Sequence, residues 1–236
     1  MKTDRYKGKL FSLLGDSIST LDGYSEPDGA SFYAGDTKFK AEVFQPEDTW
    51  WGMLIDALGG ELLVNNSISG STVCNRPGYS YPSYGCSDER TSALDRKGIA
   101  PDVILVAMGM NDWGRGVRLH PEGGEEDGDF FFSFAYRSML KKLHTNYPAA
   151  EIRCLTFPVS RFSKVPDFVF PYRYGGRHMR EYCDEIRRLA KEEDCLLWDL
   201  NAIPVPYDTI DGFHPSLSGM HTLAENLLRL VEKLFN

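Results

Sequence analysis

The chain has 236 residues and carries 26 Lys and Arg against 34 Asp and Glu, which gives a formal net charge of −8. Hydrophobic residues make up 42% and charged residues 25% of the chain, ordinary proportions that exclude a disordered or fibrous protein. The acidic balance argues against a nucleic-acid or anionic-membrane partner, because both require a basic patch. No apolar run reaches the roughly 18 residues of a membrane span.

The first nine residues are polar, and the apolar stretch that follows them, residues 10–14, is too short for the h-region of a signal peptide. We therefore predict a cytoplasmic protein, or a secreted one if a signal peptide has been removed from the chain as given.

The cysteines are few and odd in number, and none forms a C-x-x-C pair or has zinc-finger spacing with histidines. Reduced, mostly buried thiols are therefore favoured over a disulfide framework. Two of them share one predicted loop and could pair only in an exported protein, namely Cys74 and Cys86. The other three are Cys154, Cys183 and Cys195.

Short apolar runs typical of strands alternate with longer stretches of helical periodicity. Several runs are nearly continuous in apolar residues, as in strands that are covered on both faces of a sheet. This alternation predicts an α/β fold around a parallel sheet of five strands. In chain order the predicted strands are residues 9–14, 61–65, 103–108, 151–157 and 195–198.

Helical periodicity is clearest in residues 217–234, where apolar side chains form one stripe. Three further helices and three long irregular segments complete the pattern, without internal repeats or linkers, so we predict one domain over residues 1–236. Ligands of doubly wound sheets bind beyond the carboxyl ends of the strands, where such irregular segments gather. The further helices are residues 50–58, 130–147 and 176–193, and the irregular segments are residues 22–48, 71–90 and 161–176.

Gly15-Asp16-Ser17 directly follows the first predicted strand. A strand that ends in a tight turn presents the next hydroxyl at the edge of the sheet, where a nucleophile would have to lie. Ser17 is therefore a candidate nucleophile, although a serine at this place is equally typical of a helix N-cap or a turn.

Asp211 and His214 lie three residues apart, directly before the C-terminal helix. A serine nucleophile needs a base to accept its proton, and that base needs an acceptor that fixes its tautomer. The spacing allows the Asp211 carboxylate to reach Nδ1 of His214 and leaves Nε2 for the serine. Taken alone, the pair is also what a turn aspartate and a surface histidine would look like.

Asn111 follows the third predicted strand, and Gly70 follows the second. An amide side chain at a strand end can donate to a developing oxyanion, or it can close an Asx-turn. Gly70 allows a backbone N–H to approach a ligand oxygen closely, but loop glycines are common.

Taken in order, these four segments resemble the sequence blocks of the SGNH/GDSL hydrolase family, over residues 10–217. The family blocks are a nucleophilic serine, an oxyanion-hole glycine, an oxyanion-hole asparagine and a catalytic histidine. The resemblance implies a flavodoxin-like three-layer α/β/α sandwich, with no metal or organic cofactor. One departure is Ile18, which stands where the family often has leucine and changes no reactive group.

The resemblance also implies a role for each matching residue. Ser17 would be the nucleophile, His214 the general base, and Asp211 the carboxylate that orients His214. The oxyanion hole would consist of the backbone N–H groups of Ser17 and Gly70 together with the side chain of Asn111.

Other polar residues are weaker candidates. Asp112 is predicted to be buried near the site without a catalytic role, while Trp113, Arg115 and Arg118 either line the pocket or pack elsewhere. The acidic residues 122–129 do not match an EF-hand and are predicted to form a solvated loop. Four histidines without ligand spacing are predicted at the surface, namely His120, His144, His178 and His221.

We predict a serine ester hydrolase that works through an acyl-enzyme. A lysophospholipase, a thioesterase or an acyltransferase would use the same site. From another class, a catalytically silent flavodoxin-like binding module remains an alternative, disfavoured because such a module need not keep all four key residues.

The predicted substrates are short-chain acyl esters, foremost acetyl groups on a carbohydrate. Residues 79–84 and 111–115 interleave aromatic and hydrogen-bonding groups, which suits sugar rings. The alternative is that these aromatic side chains only pack the loops onto the domain. The sequence leaves the oligomeric state open, including a homo-oligomer, and residues 161–176 could form a lid or an interface.

Overall fold

The computed structural model describes residues 5–25, 31–76, 84–123 and 125–234. Its centre is a parallel sheet of five strands in the order β2-β1-β3-β4-β6, and a separate pair of two-residue strands, β5 and β7, lies beside it. The strands are β1 (Leu10–Gly15), β2 (Glu61–Ser67), β3 (Val103–Ala107), β4 (Glu151–Leu155), β5 (Ser160–Arg161), β6 (Leu196–Trp198) and β7 (Tyr207–Asp208).

Helices cover both faces of the sheet. In chain order they are α1 (Gly35–Ala41), α2 (Trp50–Ala57), α3 (Asp88–Thr91), α4 (Met110–Gly114), α5 (Phe132–Asn146), α6 (Met179–Glu192) and α7 (Leu217–Leu234). Across the described residues, no helix combines the length and the apolarity that a membrane span requires.

The continuous apolar run of β3 serves two separate cores. Val103 and Leu105 point into the core beneath α2 and α7, whereas Ile104 and Val106 point into the core beneath α5 and α6. Successive side chains of a strand alternate between faces, so a strand covered on both sides must be apolar at every position. This is the physical reason why the five strands could be predicted from the sequence.

The boundaries of several elements differ from the prediction. Helix α6 begins at Met179 rather than at residue 176, because His178 caps it. The His178 ring accepts from the Arg180 backbone N–H at 3.1 Å, and the His178 backbone N–H donates to the Glu181 side chain at 2.9 Å. Histidine is not among the usual N-cap residues, which hid this start from the sequence reasoning.

Three short helices lie where loops were predicted. Helices α1 and α3 lie in the segments 22–48 and 71–90, and α4 follows β3 directly. Each spans only four to seven residues, which is too short to show an apolar stripe. Asn111 therefore lies in the first turn of a helix, not in an Asx-turn.

The strand order places a crevice at one end of the sheet. From β1 the chain crosses to β2 on one side and later returns to β3 on the other, so the direction of winding reverses between β1 and β3. The carboxyl ends of parallel strands at such a reversal form an open crevice, the usual ligand site of doubly wound sheets.

Candidate active site

Ser17 stands at the carboxyl end of β1, on a turn that requires glycine before it. A Cβ atom on Gly15 would lie 2.5 Å from the Ser67 hydroxyl oxygen and 2.9 Å from the Ser19 Cβ, so a larger residue would displace one of these serines. The next residue, Asp16, caps a single 3₁₀ turn over Ser17–Ser19 by accepting from the Ile18 N–H at 3.1 Å. Because Asp16 supplies the cap, the Ser17 side chain is left for other contacts.

His214 and Asp211 meet Ser17 across the crevice. The Nε2 atom of His214 lies 2.9 Å from Oγ of Ser17, and its Nδ1 atom lies 2.7 Å from Oδ2 of Asp211. The second carboxylate oxygen accepts from the backbone N–H groups of Phe213 and His214 at 2.9 and 2.8 Å. The loop thus folds around the Asp211 carboxylate, which in turn fixes the orientation of the imidazole.

The electrostatics of Asp211 favour the ionised form. Partial burial alone would raise the pKa of this carboxyl. The hydrogen bonds from the His214 side chain and from the two backbone N–H groups outweigh burial, and the pKa of Asp211 lies below its ordinary value. An ionised carboxylate at this place can stabilise an imidazolium on His214.

Phe32 is a site residue that the sequence reasoning missed. Its ring stacks on the His214 imidazole with centroids 3.5 Å apart and an interplanar angle of 11°. The contact joins residues 182 positions apart, so no local sequence pattern could have indicated it.

Asn111 and Gly70 come from the ends of β3 and β2, and a direct hydrogen bond links their two loops. The Asn111 side chain donates to the Ser71 carbonyl at 3.0 Å, next to Gly70, whose φ of +74° is in the left-handed region. Asn111 lines the same cavity as Ser17 and His214, whereas Gly70 does not line it and adjoins it through the Arg115 side chain.

Asp112 holds the loop after Gly70 from beneath. Its two carboxylate oxygens accept from the backbone N–H groups of Val73 and Cys74 at 2.8 and 3.1 Å. Burial raises the pKa of Asp112 to about 6 against these hydrogen bonds. Burial likewise raises the pKa of Asp16 to about 6, opposed by the Ile18 N–H and the charge of His214. Two buried carboxyls with raised pKa values therefore flank the site.

The cavity above Ser17 has a volume of about 330 Å³. One wall is aromatic: Tyr174 and Phe213 lie 5.2 Å apart, centroid to centroid, and Trp113 packs behind them. Tyr174 is 63% exposed and belongs to the segment 161–176, whereas Trp113 is buried. After Phe32, Tyr174 is the second residue of the site that the sequence reasoning did not single out.

A smaller cavity of about 50 Å³ lies beside the first. The two share Asp16, Ile18 and Met110 in their walls. The remaining lining is almost entirely apolar and includes Leu155 and Phe157. The site thus combines a larger aromatic and polar space with a small apolar one.

The remaining residues that the sequence singled out lie partly in the cavity wall and partly away from it. Arg115 lines the larger cavity, whereas Arg118 pairs with Glu125 in the acidic loop. Of the tyrosine-rich segment, residues 79–83 lie outside the described part of the chain, and Tyr84 packs against the core.

The histidines and cysteines outside the site differ in their burial and their contacts. His120 and His221 are exposed, as predicted, but His144 and His178 are half-buried, and both make hydrogen bonds. All five cysteines are buried free thiols, Cys74 and Cys86 included. Among the described residues, no three His, Cys, Asp or Glu side chains are grouped as a metal site would require.

The sequence is similar to a known family. The profile of the GDSL-like Lipase/Acylhydrolase family matches residues 9–158, which include Ser17, Gly70 and Asn111 but end before Asp211 and His214. No curated protein matches the chain.

Solved structures share the fold over nearly the whole chain. A protein named as a GDSL-like lipase of Bacteroides ovatus is 26% identical with a TM-score of 0.72, over 96% of this chain and 99% of that chain. The aryl esterase of M. smegmatis is 17% identical with a TM-score of 0.64, over 97% and 99%. A carbohydrate esterase family 2 enzyme of Corynascus thermopiles is 14% identical with a TM-score of 0.61, over 98% and 67%. The last two are similar in fold alone, and the set confirms the predicted α/β fold.

Proposed function

We propose that this chain, which belongs to the GDSL-like lipase/acylhydrolase family, is a serine ester hydrolase with Ser17 as its nucleophile. One observation carries the proposal: Ser17, His214 and Asp211 form a continuous chain of contacts of 2.9 and 2.7 Å in an open crevice. A nucleophile, a base within hydrogen-bond reach and a third group that orients the base are the parts that acyl transfer through serine requires.

In the proposed reaction, Oγ of Ser17 attacks the ester carbonyl carbon while Nε2 of His214 takes the hydroxyl proton. The tetrahedral intermediate collapses, His214 gives the proton to the leaving alkoxide, and the acyl group remains on Ser17. Water then attacks the acyl-enzyme with His214 again as the base, which releases the acid and restores the serine. Asp211 stabilises the imidazolium that forms in both halves.

The oxyanion of both intermediates would be bound by the backbone N–H groups of Ser17 and Gly70 and by the Asn111 side chain. The hydrogen bond from Asn111 to the Ser71 carbonyl supports this assignment, because it holds the asparagine against the loop of Gly70. Donors that are fixed before the reaction stabilise developing charge without reorganisation.

For the acyl part of the substrate we propose a short chain. The apolar cavity beside Ser17 has a volume of about 50 Å³, which leaves room for about one or two groups beyond the carbonyl at about 30 Å³ for each water-sized group. An acetyl or propionyl group fits this space, whereas a long fatty acyl chain does not.

For the alcohol part we propose a carbohydrate. The exposed ring of Tyr174 beside Phe213 offers an apolar face, and the Arg115 guanidinium in the same cavity offers hydrogen-bond donors. Sugar rings present both C–H faces and hydroxyl groups, so they suit such a wall. An aryl alcohol would use the aromatic face alone.

The test is a panel of p-nitrophenyl esters from acetate to palmitate, with acetylated sugars and phenyl acetate beside it. We expect kcat/KM to be highest for acetate or propionate, and Ser17→Ala to abolish hydrolysis of every ester while thermal unfolding is unchanged. A kcat/KM that rises toward octanoate would contradict the short-chain proposal, and activity retained by Ser17→Ala would contradict the nucleophile.

Tyr174→Ala tests the alcohol side against a matched control. The substitution should lower kcat/KM for acetylated sugars about fivefold, because stacking on an aromatic ring contributes about 1 kcal/mol, while p-nitrophenyl acetate changes less. Tyr24→Ala, at a tyrosine that is 47% exposed and outside the cavity wall, should change neither. A loss confined to the two aryl esters, phenyl acetate and p-nitrophenyl acetate, would favour an aryl alcohol instead.

A further inference from the structure

Arg90 is a fully buried arginine beneath the site that the proposed reaction does not use. It lies in the four-residue helix α3, and only 2% of its surface is exposed. Burying a guanidinium removes it from water at a large free-energy cost, which a protein must offset by hydrogen bonds or opposite charge. The hydrogen-bond partners of Arg90 therefore indicate which part of the structure the residue stabilises.

Among the described residues, the Arg90 guanidinium donates only to uncharged oxygens, which lie at the carboxyl ends of β1 and β2 and in the loop after Gly70. Nη2 donates to the carbonyls of Gly15 and Asn66 at 3.0 and 2.8 Å, and Nη1 donates to the Ser71 hydroxyl at 2.8 Å. Nε donates to the side-chain oxygen of Asn66. One planar group thus ties together the strand end before Ser17, the neighbouring strand end and the loop that follows Gly70.

These contacts converge on the groups of the proposed oxyanion hole. Gly15 precedes the turn that presents the Ser17 N–H, and Ser71 follows Gly70. Ser71 also receives the hydrogen bond from Asn111, at its carbonyl oxygen. A shift of the Arg90 guanidinium would therefore move the supports of all three proposed oxyanion donors.

A second buried arginine provides a comparison within the same chain. Arg153 in β4 is also 2% exposed, but it pairs with Glu151 at 2.7 Å and contacts the Tyr6 hydroxyl at 2.6 Å. Arg153 thus has a carboxylate beside its charge, whereas Arg90 has no carboxylate within 4.0 Å among the described residues. The positive charge of Arg90 therefore has no direct ion pair, and the carboxylates of Asp16 and Glu89 act on it only from beyond 4.0 Å.

On the basis of the proposed function, we propose that Arg90 is a positioning residue of the oxyanion hole, and that its unpaired charge favours the negative tetrahedral intermediate. The guanidinium holds the Gly15 carbonyl and the Ser71 hydroxyl in one plane, which sets the spacing of the Ser17 and Gly70 N–H groups and of Asn111. Because the oxyanion exists only in the transition state and the intermediate, Arg90 acts on kcat and not on KM.

The experiment compares substitutions at the two buried arginines in p-nitrophenyl acetate hydrolysis. Arg90→Lys keeps the charge without the planar fork, and Arg90→Met removes both. Arg153→Lys and Arg153→Met are the matched controls. Each variant is also tested for inhibition by 1,1,1-trifluoroacetone, whose hemiketal with a serine oxygen carries an oxyanion.

We expect kcat to fall about tenfold in Arg90→Lys and about 100-fold in Arg90→Met, with KM within about threefold, since loss of a whole oxyanion donor costs about 10²–10³. The inhibition constant of trifluoroacetone should rise in parallel with the loss of kcat/KM. The Arg153 variants should lose thermal stability but keep kcat, measured per folded molecule, within about twofold.

If Arg90→Met does not fold, Arg90→Lys and Ser71→Ala carry the test, and Ser71→Ala should lower kcat about threefold through the lost Arg90 contact. A kcat within twofold of the wild type in Arg90→Lys, or a fall in kcat without weaker trifluoroacetone binding, would overturn the proposal. Failure of the proposed function would look different, because the wild-type protein itself would neither hydrolyse the ester nor bind trifluoroacetone.

Discussion

The two ends of the parallel sheet differ in how their charged side chains are compensated. At the amino end, charged side chains lie in compensated pairs: Lys9 contacts Asp102 at 2.8 Å, and Arg153 contacts Glu151 at 2.7 Å. Asp102 also accepts from the Leu10 N–H, and this hydrogen bond together with Lys9 lowers the pKa of its carboxyl. The charges at this end favour the folded state.

At the carboxyl end, Asp16, Asp112 and Arg90 are buried without an ion pair within 4.0 Å among the described residues. The pair of Asp211 and His214 at this end is instead partly exposed. Burial raises the pKa values of Asp16 and Asp112 to about 6 and lowers the pKa of Arg90 to about 9. Each of the three shifts means that the folded surroundings disfavour the charged form. Perturbed pKa values gather at functional sites, because such a site is built for the reaction and not for the resting protein. The three groups lie beside or beneath the turn of Ser17, in agreement with a site at the carboxyl end.

The largest effect that tests this contrast is expected at Asp211. Asp211→Asn should lower kcat about 10³-fold, because the amide favours the wrong tautomer of His214 and cannot stabilise the imidazolium. Asp102→Asn is the control at the amino end, since its side chain is similarly exposed, 36% against 41%, and should change kcat less than twofold. Equal losses in the two variants would contradict the division of roles between the ends.

The next effect concerns Asn111. Asn111→Ala should lower kcat about 10²- to 10³-fold with little change in KM, as expected for one oxyanion donor. Asn146→Ala is a close structural control, because Asn146 also donates to a backbone carbonyl, that of Thr91, at 2.9 Å. A loss of activity in Asn111→Ala no greater than in Asn146→Ala would show that the Asn111 amide only supports its loop.

Asp16 should respond to pH in the direction that its raised pKa requires. Because this carboxyl has a higher pKa in the folded state, about 6, than its ordinary 3.8, the folded state binds the proton more tightly. The contribution of Asp16 to stability is therefore favourable below pH 4 and is lost as the pH rises through 6. Asp16→Asn should increase the free energy of unfolding at pH 8 by about 1–3 kcal/mol, and the gain should vanish below pH 4.

Urea unfolding at pH 8 and pH 3.5 measures this difference, with Asp102→Asn as a control of opposite sign. The lowered pKa of Asp102 means that its carboxylate stabilises the fold at neutral pH and loses that contribution as the pH falls through its folded value. Its removal should therefore destabilise the protein at pH 8. Destabilisation by Asp16→Asn at pH 8 would contradict the electrostatic cost assigned to the carboxyl end.

The smallest effect is expected at Phe32. Phe32→Leu should lower kcat about three- to tenfold, because the stacked ring restricts the rotation of the His214 imidazole. Phe39→Leu is the control, since Phe39 is 65% exposed and contacts Phe44 instead. Steady-state kinetics on p-nitrophenyl acetate would show the difference, and an unchanged kcat in Phe32→Leu would exclude an orienting role for the ring.

The parts of this structure that could be predicted are those that patterns of neighbouring residues determine. Continuous apolar runs indicate the five strands, because buried parallel strands need apolar residues on both faces. Asp211 and His214 are three residues apart, so their contact is local. Ser17, Gly70 and Asn111 each follow a strand end, and parallel strands bring such ends to one edge of the sheet.

The parts that could not be predicted depend on contacts between distant segments. Arg90 meets Gly15 across 75 positions, and Phe32 meets His214 across 182. Tyr174 enters the cavity wall from a segment without helical or strand periodicity. Tertiary packing alone decides which of many arginines, phenylalanines and tyrosines is placed at the site, and no local pattern records that choice.

The most direct test of the central claim is covalent labelling of the folded wild-type protein with a fluorophosphonate, followed by mass spectrometry of its peptides. We predict one adduct per chain, located on Ser17. Labelling should be lost in Ser17→Ala and strongly slowed in Asp211→Asn, while Asp102→Asn should be labelled at the wild-type rate. An unlabelled wild-type protein, or an adduct on any other residue, would contradict the assignment of Ser17 as the nucleophile.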